Sequence, residues 1–360
     1  MLDNGGAGGR DAGAAQDGAG AGDSGPAIFD PDSDPAGAIP APGDGAITLS
    51  GGAQSGQVDG PREQARFNNP VNVVLGPDNN LYVADTDNGL IRVVRPSGMV
   101  HTLTRQENFS HPFGMAFGPD GTLYVQTDAN DMGGRNNDTG TLWRVDRRTG
   151  AATVLVRDIG RPRSLLALAD GTLVMADNRH HVVRRFNPTT LEVTELAGAL
   201  DQPGYVDGAR DAARFDEPCN LVLVGDRIIL ADQNNHRLRT ITMTGEVGTF
   251  AGSGEGTTRD GQDTAAAFNR PQGLAVDRDG NVFVTELSGY RVRHVTPQGL
   301  VTTVAGTGRA GFADGEPMQA EFFGLEGIDV SADGKVIYLA DGNRGGMDPY
   351  HRIRRVMLPN

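Results

Sequence analysis

Five polar residues within six positions, Asp232, Asn234, Asn235, His236 and Arg237, interrupt an otherwise strand-like stretch. Carboxylate, amide and imidazole groups at that density are the raw material of a metal site. A second series is acidic: Asp85, Asp177, Asp232, Glu286 and Asp341, with Thr127 and then Asp128 in the corresponding place. Hard oxygens of this kind suit Ca²⁺ or Mg²⁺. Cys219 is the only cysteine and Lys335 the only lysine. No His stands beside Cys219, so a buried small residue is expected there rather than a nucleophile, and lysine chemistry has almost no candidate.

Both series recur, and the recurrence identifies the elements that carry them. Each acid closes a short apolar run: LYVAD (81–85), LYVQT (123–127), LVMAD (173–177), IILAD (228–232), VFVTE (282–286) and IYLAD (337–341). Each run is preceded by another, NPVNVVL (69–75), HPFGMAF (111–117), RPRSLLA (161–167), EPCNLVL (217–223), RPQGLAV (270–276) and GLEGIDV (324–330), so that six units begin 42 to 56 residues apart. The third runs read IRVV, LWRV, VRRF, LRTI, VRHV and IRRV. Short β-rich runs parted by Gly, Asp and Asn turns predict four-stranded antiparallel meanders. A sheet of that size covers its faces only against neighbours, and a radial arrangement supplies them. The sixth unit stops after its third strand, while AITLSGG (46–52) matches a missing fourth. The expected fold is therefore all-β: a six-bladed propeller over 46–360, its ring closed by strand 46–50 lying beside Arg352–Val356.

Composition agrees with many turns, since the chain holds 52 Gly and 20 Pro in 360 residues. Residues 1–45 have eight Asp and only Arg10 among Gly, Ala and Pro, and bury too little to offset the cost of ordering; a disordered tail or linker is expected. The net charge of -14 speaks against nucleic-acid binding. No apolar stretch reaches transmembrane length, and a soluble monomer is expected. The tail suggests an extracellular or cell-envelope protein, with a cytoplasmic one as the alternative.

The segment NNHRLRTI (234–241) nearly spells the Asn-His-Leu signature of the NHL repeat, and the loop YVDGARDAARF (205–215) sets Asp207 eight residues before Phe215. The same spacing joins Asp59 to Phe67, Asp260 to Phe268 and Asp314 to Phe322. On these residues the chain resembles a six-bladed NHL propeller from about Ala46 to Leu358. His236 aligns with His181 and His351, but the first and fifth copies have Gly89 and Tyr290. A position that accepts Gly, Tyr and His is expected to be scaffolding, as are the four loop aspartates.

Sites are then sought where copies differ. Directly after the leading residue, proline in five units and Leu325 in the sixth, stand Val71, Phe113, Arg163, Cys219, Gln272 and Glu326, followed by Asn72, Gly114, Ser164, Asn220, Gly273 and Gly327. These positions fall at the mouth of the channel, with Arg163 and Glu326 in opposite blades. Two insertions after the second strand, 129–140 and 342–350, bring Asp131, Arg135, Asn136, Asn137, Asp138, Arg344, Asp348 and Tyr350 to the same top face, where they are expected to raise a wall. Glu286 departs from the aspartate of its series. The expected function is a non-enzymatic module binding a protein, peptide or glycan on that face, without a cofactor. The resemblance also implies the competing expectation of an enzyme at the top of the channel, a Ca²⁺-dependent lactonase or hydrolase or else a lyase. Related lyases hold zinc with histidines directly after the leading proline, and none of the six positions here is His. A lactonase-like Ca²⁺ site would draw on Glu326, Asn72 and Asn220.

Overall fold

Six antiparallel sheets surround a central channel in the computed structural model, which describes residues 45–359. The expected tail lies outside the described residues. The innermost strands are Pro70–Leu75, Pro112–Phe117, Pro162–Ala167, Pro218–Val224, Pro271–Val276 and Leu325–Val330, and each touches the next around a closed ring. Gly45–Gly52 completes the sixth blade, running antiparallel to His351–Met357 with Ala46 opposite Val356 and Ile47 opposite Arg355. The fourth and fifth blades have a short fifth strand in place of the expected four. The extended dipeptides Gly208–Ala209 and Gly261–Gln262, part of the Asp-Gly loops, pair with the outer edge.

The core consists of six apolar clusters, and every cluster is shared by two neighbouring blades. One cluster joins Leu49 and Ile353 of the sixth blade to Val73 and Val83 of the first, so the closing strand packs as well as pairs. Alternating side chains of each sheet thus serve two seams, which is why no blade is a stable unit by itself.

Four of the blades carry a buried ion triad. In the first blade the buried guanidinium of Arg92 bridges Asp85 (2.9 Å) and Asp59 (2.6 Å) and donates to the carbonyls of Arg66 and Val58. It also lies 5.1 Å from the ring of Phe67. The arrangement recurs as Arg239 between Asp232 and Asp207, Arg293 between Glu286 and Asp260, and Arg354 between Asp341 and Asp314. The loop aspartate in turn accepts from a threonine of the outer strand, Thr102 for Asp59 and Thr48 for Asp314. The Asp-Gly-to-Phe spacing therefore positions one carboxylate and one ring against the same arginine. The second blade solves the problem without charge: Trp143 Nε1 donates to Thr127 Oγ1 at 2.8 Å.

The polar cluster at 232–237 is absorbed by this scaffold. Asn235 donates to the Gly204 carbonyl and to Asp232, and Arg237 stacks 3.9 Å from the ring of Tyr205. His236 has a left-handed backbone (φ 55°), as do His181 and Tyr290, the region that Gly89 enters freely. The Nδ1 atoms of His181, His236 and His351 each accept a backbone N–H of the following blade, from Glu217, Arg270 and Asn69, at 3.1 Å. The histidine is a cap between blades. Where Gly89 stands instead, between the first and second blades, a cavity of about 280 Å³ opens, lined by Thr86, Asp87, Gly89, Phe109 and His111 among others.

Candidate functional site

Every inner strand starts with a register shift just after its leading residue, between Pro162 and Ser164 in the third blade and between Leu325 and Gly327 in the sixth. Such a bulge re-aims one side chain. The residue re-aimed is the one after the leading residue; Val71 and Phe113 join the apolar seam of the first and second blades, and the polar ones stand at the channel mouth. Gln272 donates to Glu326 at 3.3 Å and accepts from Gln233 at 2.5 Å. Arg163 lies 4.0 Å from the ring of Phe113 in the preceding blade. Asn178 donates to the Cys219 sulfur at 3.4 Å, and burial pushes that thiol up to about 12, which leaves it inert at neutral pH.

The electrostatic centre of the mouth is Asp128, which follows Thr127 at the end of the second strand of blade two. Its side chain is 2% exposed and is surrounded by three arginines. Arg161 donates to Oδ2, with Arg135 at 3.6 Å and Arg163 at 3.8 Å from the same oxygen. Gln126 donates to the other oxygen. Burial works against the charge of Asp128, but Arg163 and Arg161 outweigh it and hold the carboxyl at about 2. Arg161 is pushed down by burial and by its neighbours Arg163 and Arg179. Farther round, Glu217 receives Arg179 at 2.8 Å and Arg270 at 3.4 Å. Across the ring, burial raises the Glu326 carboxyl against the pull of Arg163 and Arg344.

The remaining expected residues divide. Asn72 donates to the Phe113 carbonyl and accepts from Val73, while Asn220 accepts from Ser164 and Leu221. They stand in opposite blades, Asn72 against Gly327 of the sixth, and no group of three His, Cys, Asp or Glu side chains comes together for a metal among the described residues. Glu286 is fully buried against Arg293 and belongs to the scaffold. The insertions do not form one wall. The first leans toward the third blade, with Asp131 held by Arg157 and Asp138 reached by His180 Nε2 at 3.1 Å; its Asn136 caps the turn through Asp138 and Thr139. The second leans toward the fifth: Arg344 donates to the carbonyls of Leu287 and Phe323, and Tyr350 stacks on Phe323 at 4.1 Å. Phe323 in turn stacks on Tyr290, and Phe312 meets Tyr350 edge-on. Three groups were not singled out from sequence: Asp128 as a hub, Arg161 with its partners, and this aromatic stack. Arg161 and Arg270 both precede a leading proline, and that repeated arginine was the available signal.

The family model described as NHL repeat matches residues 67–94. NHL repeat-containing protein 2 of Gallus gallus is 28% identical over 144 residues, 37% of this chain and 19% of the relative's length. An auxiliary nutrient binding protein from Bacteroides thetaiotaomicron superposes with a TM-score of 0.68 at 20% identity, covering 86% of this chain and 75% of the other. A gluconolactonase from Xanthomonas campestris superposes at 0.58 with 16% identity over 88% of this chain and 91% of that one. A virginiamycin B lyase from Staphylococcus aureus superposes at 0.52 with 16% identity, 82% and 84% covered. These likenesses to solved structures show the fold alone, and one fold carries unrelated chemistries.

Proposed function

We propose that this NHL-repeat propeller is a binding module that holds a small polar ligand, derived from a glycan or peptide, at the top of its channel. The observation that carries the reading is the mouth itself: Arg163 stands beside Asp128, and Gln272 bonded to Glu326 lies across the ring from it, while the repeated acids and histidines are consumed by the scaffold. Convergent polar groups on a rigid frame are the mark of a ligand site. An envelope location, taking up nutrients, accords with the nutrient-binding neighbour of similar fold; no helix among the described residues is long and apolar enough to cross a membrane.

An enzyme would need a nucleophile with its base, or a metal, at the mouth. The thiol there is silenced by burial, and Asn72 and Asn220 spend their amide oxygens on internal hydrogen bonds. The test is a glycan and peptide array probed with the intact chain and with the Gln272→Ala/Glu326→Ala variant, followed by incubation of each hit with and without Ca²⁺. Retention that the variant loses, with the ligand recovered unchanged, is the expected result. Ca²⁺-dependent conversion of a hit would replace the binding reading with the lactonase-like one.

A further inference from the structure

We infer that the ligand of this mouth carries an oxyanion, a carboxylate or a phosphate on a hydroxylated body, and that Arg135, Arg161 and Arg163 receive it. The inference rests on the binding reading above and adds the ligand's chemical class. One carboxylate, Asp128, stands against three guanidiniums that all approach the same oxygen. Asp128 is ionised, so it neutralises one of three positive charges. Four scaffold arginines show the opposite ratio, two carboxylates to one guanidinium. Positive charge half-withdrawn from water and short of counter-charge favours an anion arriving from solution.

Arg163 is the group built to take it. Its side chain is 20% exposed and makes no hydrogen bond among the described residues. Phe113 covers one face of its guanidinium at 4.0 Å, leaving the N–H edges to donate. A planar fork held this way pairs with an oxyanion through two parallel hydrogen bonds. Opposite, Glu326 and Gln272 offer an acceptor and a donor that suit hydroxyls rather than a second anion. The polarity of the mouth thus orients the ligand, anion toward the second and third blades and hydroxyls toward the fifth and sixth.

The test is isothermal titration of the intact chain with glucuronate, glucose 6-phosphate and glucose, three probes that share a sugar body and differ in charge. The expected result is that at least one anionic probe binds about tenfold or more tightly than glucose, and that added salt weakens it. Glucuronate above glucose 6-phosphate identifies a carboxylate, the reverse a phosphate. Arg163→Gln lowers the anion's affinity at least about tenfold with only a small fall in melting temperature, since Arg161 still donates to Asp128. Should that variant misfold, Arg135→Gln, on an exposed insertion, is expected to weaken the anion about threefold. Glucose binding as well as both anions, or affinity unchanged in the arginine variants, overturns the oxyanion while leaving the binding module intact. Silence of all three probes alongside array hits that carry no acidic group overturns it too. A blank array fells both readings.

Discussion

In the first, fourth, fifth and sixth blades one arginine lies between two carboxylates; at the channel mouth three arginines share one. The materials are the same and the outcomes differ. Arg92 and Arg239 spend their terminal nitrogens on carboxylates and peptide carbonyls, so the charge is closed inside the fold. Arg163 reaches only the outer edge of Asp128 and an aromatic face. A satisfied ion network anchors a connecting loop to its blade, and an undersupplied one waits for a counter-ion. Stoichiometry, more than residue type, separates scaffold from site.

The comparison is tested most strongly by Arg239→Ala, which leaves Asp232 buried with no guanidinium; about 3–5 kcal/mol of unfolding free energy is expected to go, read from urea denaturation. A loss under about 1 kcal/mol would mean that the triads are ornaments of packing around Phe215. Titration sharpens the contrast next. Burial pushes Asp85 and Asp232 up to about 6 despite their arginines, whereas Asp128 is held at about 2, on either side of the free value of 3.8. For Asp232 the folded chain holds the proton more tightly, so that contribution is present below the free value and is lost as pH rises through about 6. For Asp128 it is present above the free value and fades as pH falls toward about 2, an effect of about 2 kcal/mol. Carboxyl-carbon NMR should therefore find the two aspartates titrating at opposite ends of the acid range; coincident midpoints near the free value would erase the distinction.

A smaller effect is expected at the seam. His236→Ala removes one accepted backbone hydrogen bond, costing about 1 kcal/mol in the same denaturation assay. Smallest of all is the effect of Arg163→Gln on stability, a loss under about 1 kcal/mol, because Arg163 attracts Asp128 without a hydrogen bond and Arg161 keeps its bond to the same carboxylate. If Arg163→Gln destabilises as much as Arg239→Ala, the mouth is scaffold after all.

The ring was legible because it repeats. Six copies of one pattern specify the blade count and the pairing of strand 46–50 beside Arg352–Val356, since an unpaired sixth blade has only one complementary strand to take, while the short fifth strands Gly208–Ala209 and Gly261–Gln262 lie in loops that carry no strand pattern. The histidine positions were read as scaffolding from their variability, but their bonding to the next blade was not visible, because the partner is a backbone N–H with no identity in sequence. The mouth was half legible. Arg163, Gln272 and Glu326 follow from their shared place after a bulge, while Asp128 looked like the neighbour of a substituted acid. Its role arises from Arg135, Arg161 and Arg163 meeting across a seam and an insertion, and such convergence has no fixed spacing. The lean of the two insertions depends on single contacts, such as Tyr350 on Phe323, that no periodicity announces.

The closing strand has a temporal consequence. Gly45–Gly52 precedes all other described strands in the chain, yet its partner, His351–Met357, is the last of them to be synthesised. Its apolar and hydrogen-bonding edge must stay unpaired until the sixth blade exists, so five seams can zip in order as the chain lengthens while the last waits for a contact across nearly the whole sequence. The clasp between the sixth and first blades is thus the event that converts a row of sheets into a ring, and the place from which a stressed ring would first come open.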